Sequence, residues 1–218
     1  MNKILKIIIW PVLASPAIYL ALKWNELPQQ VAMHFRLDGT PDRFGSKNEL
    51  AIMLAVLTVV NIGLYLLFAN IHRIDRRGNG KINQPRLERM AFSISVFIAG
   101  LTFYIIYNSI KGVGVHFSPN LVFGAIGLLW CIMGNYMHNI KPNYFAGFRT
   151  KWTLNNEENW KKTHLLGGKL WFVGGLLLAI VCLFSRENVV IFIFMFVTLV
   201  ITIIPFIYSY GIYKKQKA

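Results

Sequence analysis

Six apolar segments, each about as long as a membrane is thick, dominate this sequence. A helix rises 1.5 Å per residue, so about 20 apolar residues cross the roughly 30 Å of hydrocarbon in a bilayer. With 55% hydrophobic and 15% charged residues, the chain is too apolar for a water-soluble domain of its length. We therefore predict an all-α polytopic membrane protein with six transmembrane helices. They are expected at about residues 4–22, 50–71, 90–110, 121–137, 170–184 and 189–208.

The first segment has two readings. It follows Lys3 and Lys6, as the apolar part of a cleaved secretory signal does. Its apolar character continues past Pro16 to Leu22, however, which favours a retained membrane anchor over a cleaved signal.

Positive charge is distributed unequally between the loops. The chain has 23 Lys and Arg against 9 Asp and Glu, a net charge of +14. With the N-terminus inside, 17 of these cations fall in cytoplasmic segments and six outside. Because short cytoplasmic loops collect cations, both termini are expected to be cytoplasmic. The basic loops are expected to contact anionic membrane lipids, and direct nucleic-acid binding is not expected, since no DNA-binding helix accompanies the charge.

Three regions follow from this layout. Residues 1–71 hold the first two spans and an outer loop, and residues 72–89 form a basic, mobile cytoplasmic loop. Residues 90–218 hold four further spans, with a cytoplasmic loop at 139–168 that is the longest polar interval of the second half.

The outer loop, residues 23–49, carries signals for a small folded unit. Apolar and other residues alternate from Val31 to Arg36, the period of a strand, and Asp38-Gly39 and Pro41-Asp42 supply turn chemistry. Asp38 and Asp42 are thus read as turn formers rather than as an acid/base pair. The loop is expected to be either a folded hairpin on the outer membrane face or an ordered connector.

The inner loop is expected to contain a short interfacial helix. Asn155 is placed to cap it by accepting from the amide of Glu158, and Gly167-Gly168 are expected to end or bend it. Trp160 would lie at headgroup depth with a hydrated indole N–H. His164, four residues later, shares its helical face.

Few residues suggest chemistry. By this assignment no carboxylate, Lys or Arg lies inside a span, which argues against a proton-coupled pump. Asn61 and Asn108 are expected to form hydrogen bonds between helices. Neither a metal-ligand spacing nor a cofactor motif occurs among the five histidines and two cysteines, so we expect no enzyme, no metal and no cofactor.

Arg149 is the most suggestive polar residue. Its guanidinium, beside a glycine turn, is expected either to bind a phosphate or carboxylate or to pair with Glu157 or Glu158 of its own loop. His138 and His164 are likewise expected to pair with Glu157 or with a headgroup, or to be structural.

The inner loop resembles the SdpI family of bacterial membrane proteins over residues 141–169, KPNYFAGFRTKWTLNNEENWKKTHLLGGK. The chain departs from the family pattern at Lys151, where proline is common, and at Leu165, where arginine is frequent. The matching positions are Asn143, Gly147, Arg149, Thr150, Thr153, Leu154, Trp160, Thr163, His164 and Gly168.

The outer loop resembles a domain of unknown function that often precedes the SdpI-like part. Phe35 and Arg36 replace its usual Trp-Asn pair, so any role of that asparagine does not carry over. The matching positions are Pro28, His34, Gly39, Pro41, Asp42, Gly45, Ser46 and Lys47.

The resemblance implies a multi-pass protein of the bacterial cell membrane that gives immunity to a secreted peptide toxin. It also implies a receptor that holds a transcriptional repressor at the membrane. Functional residues are then expected among the matched positions of both loops. The alternative is a transporter or lipid-handling membrane protein without catalytic chemistry.

Overall fold

A computed structural model describes residues 3–112, 114 and 116–217. Six of its helices are long and apolar enough to cross a membrane, which confirms the predicted all-α polytopic architecture. The elements are α1 Lys3–Lys23, a 3-10 turn Trp24–Glu26, β1 Gln30–Phe35, β2 Pro41–Ser46, α2 Lys47–Ile74, α3 Gly80–Ile110, α4 Pro119–Met137, α5 Lys151–Leu154, α6 Glu157–Phe184 and α7 Glu187–Lys217.

The long helices alternate in direction, so the connections collect at two ends of the bundle. One end, the basic end, holds the connection at 75–79, the loop at 138–156 and the end of α7. The other, the hairpin end, holds β1, β2 and the turns before α4 and α7. Which end faces the cytoplasm stays a prediction from the charges.

The predicted mobile loop at 72–89 is mostly helical, so that expectation is wrong. Only residues 75–79 connect α2 to α3, because the polar side chains that follow find partners in the bundle. Gln84 donates to the carbonyl of Ala69 (2.7 Å) and to Glu88 (3.1 Å). The buried Glu88 carboxylate also pairs with Lys6 of α1 at 2.9 Å.

Two charged residues stand next to the apolar runs of the long helices. Glu88 lies in α3 and Lys169 lies in α6, both of which are candidate spans. Both helices begin well before the apolar segments expected at 90–110 and 170–184, so the expectation that no charged residue lies within the membrane stays a prediction.

The predicted interfacial helix is instead the first half of α6, which runs without a break from Glu157 to Phe184. Its cap is Asn156, whose side chain accepts from the amide of Asn159 (2.8 Å), one residue later than predicted. Gly167 and Gly168 neither end nor bend it. They lie where neighbouring atoms leave no room for a Cβ: Gly167 faces the Phe148 ring and Gly168 faces the backbone of Gly134.

Glycines also bring α4 and α6 into backbone contact. A Cβ at Gly127 would lie 2.6 Å from the Gly175 carbonyl oxygen, and one at Gly168 would lie 2.8 Å from that of Gly134. Small residues let helices approach closely in a membrane, where apolar surface area alone gives little driving force for association. The α4–α6 pair therefore forms a rigid support for the loop that joins it.

Of the two asparagines expected to form hydrogen bonds between helices, one does so. Asn61 of α2 donates to the Ser95 carbonyl of α3 (3.2 Å), as expected. Asn108 donates to the Tyr104 carbonyl of its own helix (2.7 Å), so the interhelical prediction is wrong there. A helical asparagine one turn from a carbonyl can satisfy its amide locally.

Candidate functional site

The loop between α4 and α6, residues 138–156, is called the central loop. Asn143 lies at its centre, with no exposed surface, and shapes the chain around it. The Asn143 amide donates to the carbonyls of Lys141 (2.9 Å) and Ala146 (3.3 Å). The Asn143 Oδ1 atom accepts from the backbone N–H groups of Phe145 and Ala146, both at 2.8 Å. One side chain thus satisfies the backbone of a whole turn.

His164 joins α6 to the central loop through both ring nitrogens. Its Nε2 atom accepts from the Phe148 backbone N–H (3.0 Å), and its Nδ1 atom donates to the Trp160 carbonyl (2.8 Å). These partners require the neutral tautomer that carries its hydrogen on Nδ1. Of the two expectations for His164, the structural role therefore holds and the pairing with Glu157 or a headgroup does not, because His164 is fully buried and both nitrogens bind backbone.

Gly147 makes this arrangement possible. Its φ of +101° belongs to the region that side chains other than glycine rarely adopt, and a Cβ there would overlap the Nε2 atom of His164. The sequence signature placed a glycine 17 residues before a histidine, and the structure shows why: the imidazole occupies the space of the missing side chain.

Trp160 is a core residue, so the expectation of a hydrated indole is wrong. It is 2% exposed, its ring stacks on His164 with centroids 3.9 Å apart, and its Nε1 donates to the Ile140 carbonyl (2.7 Å). The predicted shared face of Trp160 and His164 is confirmed.

The matched threonines stabilise the backbone around this core. Thr150 and Thr153 form a reciprocal cap on α5, and the buried Thr153 hydroxyl also donates to the Phe148 carbonyl (2.7 Å). Thr163 donates to Asn159 Oδ1 (3.0 Å), whose amide reaches the Ser209 carbonyl of α7 (2.9 Å). Threonine hydroxyls thereby link the loop, α6 and α7.

Arg149 has an exposed side chain, unlike the buried or half-buried side chains of the matched residues described above. Its guanidinium donates to the Tyr144 carbonyl of the same loop. The predicted pairing with Glu157 or Glu158 is wrong: Glu158 pairs with Lys162 one turn along α6 (2.6 Å), and in the described part of the chain no ion pair joins Arg149 to either glutamate. The remaining guanidinium surface faces solvent.

Residues from the α2–α3 connection and from the first turn of α3 hold the central loop from the other side, and no expectation from the sequence covered them. Asn83 bonds Lys141 twice, donating to its carbonyl (3.0 Å) and accepting from its N–H (2.8 Å), and Asn79 donates to the Pro142 carbonyl (2.9 Å). Arg77 donates to the Leu154 carbonyl and lies 5.0 Å from the Tyr144 ring centroid. The available signal was two asparagines four residues apart, on one helical face.

The matched residues of the outer loop lie together at the hairpin end. There β1 and β2 pair antiparallel, with Pro41 opposite Phe35, and the Ser46 side chain caps α2. His34 pairs with Asp42 at 2.7 Å, and the side chains are 68% and 28% exposed. Lys47 lies over the Trp24 ring, 4.9 Å from its centroid. Asp42 is thus a strand residue, while Asp38 forms the predicted turn by accepting from Thr40 N–H (2.9 Å).

The Thr40 hydroxyl and backbone N–H hold the pKa of Asp38 below its usual range, so the turn carries a fixed negative charge.

A second exposed pair, His116 with Glu187 (3.0 Å), lies at the same end. Nowhere in residues 3–112, 114 and 116–217 do three metal-ligating side chains converge. The two sets of matched residues lie at opposite ends of the bundle, separated by helices about 40 Å long.

Comparison with known proteins gives a family match for each of the two segments that carry the matched residues. Residues 139–209 match the SdpI/YfhL protein family, and residues 2–59 match the domain of unknown function DUF1648. The chain is similar to Immunity protein SdpI of Bacillus subtilis, with 31% identity over 103 residues, 47% of this chain and 49% of that protein. It is also similar to an uncharacterized protein of Archaeoglobus fulgidus, with 45% identity over 42 residues, 19% of this chain and 23% of that protein.

The chain thus spans about half the length of the Bacillus relative and less of the archaeal one. No solved structure gives a significant match. The family matches and the six apolar helices together identify a multi-pass protein of the bacterial cell membrane. Within it, an SdpI/YfhL segment at residues 139–209 follows a DUF1648 segment at residues 2–59.

Proposed function

We propose that this protein is a membrane immunity protein that protects its cell from a secreted peptide toxin. The observation that carries the proposal is its similarity to Immunity protein SdpI over 103 residues. The SdpI/YfhL match covers the central loop from residue 139, all of α6 and most of α7. The matched segment is therefore a structural unit, since His164 bonds α6 to the central loop and Asn159 bonds α6 to α7.

In this proposal the two ends of the bundle have separate tasks. The hairpin end faces outward, where His34, Pro41, Asp42 and Lys47 are available to an arriving toxin. The basic end faces the cytoplasm, with both termini. There the buried matched residues fix the shape of the central loop, which presents Arg149 to solvent.

The receptor role is a finer part of the proposal. A loop surface carrying Arg149, Lys141 and Lys151, all exposed, suits an acidic surface of a cytoplasmic repressor. The mode of action is non-catalytic, which is supported by the use of both His164 nitrogens as backbone partners.

A killing assay tests the proposal. A Bacillus subtilis strain that lacks its own SdpI would express this protein and be challenged with medium conditioned by the toxin-secreting parent. We expect survival to rise well above that of the empty-vector strain. Survival equal to the empty vector, with the protein present in the membrane fraction, would exclude immunity to that toxin.

Two variants separate the surface from the scaffold. Arg149→Gln should abolish protection with little change in membrane abundance, because it removes an exposed charge and a single hydrogen bond to the Tyr144 carbonyl. Lys215→Gln, an exposed cation at the far end of α7, is the matched control and should protect normally. Equal protection by both variants would remove Arg149 from the proposed surface.

Lipid handling remains a second candidate function. One observation favours it, a groove between α4 and α6 that opens on the outside of the bundle at the basic end.

A further inference from the structure

A groove of about 420 Å³ runs between α4 and α6 near the basic end. Its floor is the close contact of Gly134 with Gly168, where neither helix has a side chain to fill the space. Its walls combine polar and apolar groups. They include Asn135, His138, Lys169, Leu165, Phe172 and Val173.

The polar groups lie at the depth of lipid headgroups. The α4 helix has 19 residues and is about 28 Å long, close to the thickness of the hydrocarbon layer. His138 directly follows it, and a Cβ on Gly168 would lie 3.3 Å from His138 Cβ, so Lys169 is level with the end of α4. An ammonium group at this level can reach the headgroups while its stem stays among apolar groups.

The charge at this depth is available to an anionic partner. Lys169 is exposed, and within the described part of the chain no carboxylate pairs with it. The amide of Asn139 bonds His138 Nε2 (2.8 Å), which leaves the hydrogen of the neutral ring on Nδ1 as a second donor. An ammonium from the α6 wall and an imidazole N–H from the α4 side of the same groove suit a phosphate.

The apolar wall continues in the direction that an acyl chain would take. Phe172 and Val173 stand about one turn deeper along α6 than Lys169 and are 41% and 53% exposed. The groove thus has polar groups at the level of a phospholipid headgroup and apolar groups at the level of its acyl chains.

We propose that this groove binds an anionic phospholipid, with its phosphate at Lys169 and His138 and an acyl chain along Phe172 and Val173. The site is independent of toxin immunity, because its occupant comes from the membrane itself. It would fix one lipid against the α4–α6 pair, directly beneath the central loop.

Lipid retention measured by native mass spectrometry tests the site. Purified, delipidated protein would be titrated with phosphatidylglycerol, with phosphatidylcholine of the same chain length, and with inorganic phosphate. We expect one phosphatidylglycerol to be retained in preference to phosphatidylcholine. Lys169→Gln should weaken that binding about fivefold, the effect of one lysine near an anionic surface.

Matched variants decide the location. Lys169→Arg should retain the preference, since it keeps the charge at the same depth, and Lys215→Gln should leave binding unchanged. His138→Gln gives a second reduction that does not depend on the folding of the Lys169 variant. Equal losses for Lys169→Gln and Lys215→Gln, no preference between the lipids, or binding of inorganic phosphate as tight as the lipid would each overturn the proposal.

Discussion

The two ends of this molecule use polar residues in opposite ways. At the basic end, Asn143, Thr153, Thr163 and His164 have no exposed surface, and each bonds to backbone or to another buried side chain. At the hairpin end, His34 and its neighbours form ion pairs on an exposed surface.

This difference indicates whether each set of matched residues stabilises the fold or forms a surface for recognition. Buried polar groups that are fully bonded fix one conformation, and their loss leaves backbone groups without partners. Exposed ion pairs contribute about 0–1 kcal/mol, so they are free to serve recognition instead. We therefore interpret the central-loop signature as mainly architectural and the hairpin signature as a surface.

The largest effect is expected for Gly147→Ala. Overlap of the new Cβ with His164 adds to backbone strain, and we expect a loss of about 3 kcal/mol in the free energy of unfolding. The measurement is denaturant unfolding in lipid micelles, followed by tryptophan fluorescence. Gly78→Ala is the matched control: it also has a positive φ, of +76°, but open space around it, so strain alone should cost about 1 kcal/mol. Equal losses would contradict the packing of His164 against Gly147.

Replacing a histidine by phenylalanine at each end compares the ends directly. His164→Phe keeps an aromatic ring beside Trp160 but leaves the Phe148 N–H unpaired, which should cost about 2 kcal/mol. His34→Phe loses only an exposed pair and should cost less than about 1 kcal/mol. Unfolding in the same micelles measures both, and a larger loss for His34→Phe would reverse the comparison.

The link from α3 to the central loop should have an intermediate effect. Asn83→Ala removes two hydrogen bonds to Lys141, and we expect a loss of about 1.5 kcal/mol together with faster trypsin cleavage after Lys151. Asn70→Ala, whose amide bonds only the Leu66 carbonyl of its own helix, is the control and should leave cleavage unchanged. Identical cleavage rates in both variants would mean that Asn83 does not hold the loop.

The smallest effect is expected for the hairpin pair. A double-mutant cycle with His34→Gln and Asp42→Asn should give a coupling below about 1 kcal/mol, reduced further by 0.5 M salt. A coupling above about 2 kcal/mol would show that the hairpin, too, depends on its polar pairs for its fold.

Sequence reasoning reached the six helices and the two loops but misjudged local contacts at the basic end. It placed Trp160 at the membrane surface and ended a helix at Gly167-Gly168. Both errors have one cause: a tryptophan and a glycine pair have the same local pattern at a membrane interface as in a tight helix contact. Only the position of Phe148 and of α4 distinguishes the two cases.

The amino-acid sequence by itself determined that this chain lies in a membrane, because a bilayer requires long apolar segments whose backbone bonds are satisfied within each helix. It also determined which residues carry the two signatures. Only the tertiary structure decided what those residues do. The partners of His164, Asn143 and Asn83 are backbone groups that folding brings close. Every residue has the same backbone groups, so a sequence pattern cannot show which of them a side chain will bind.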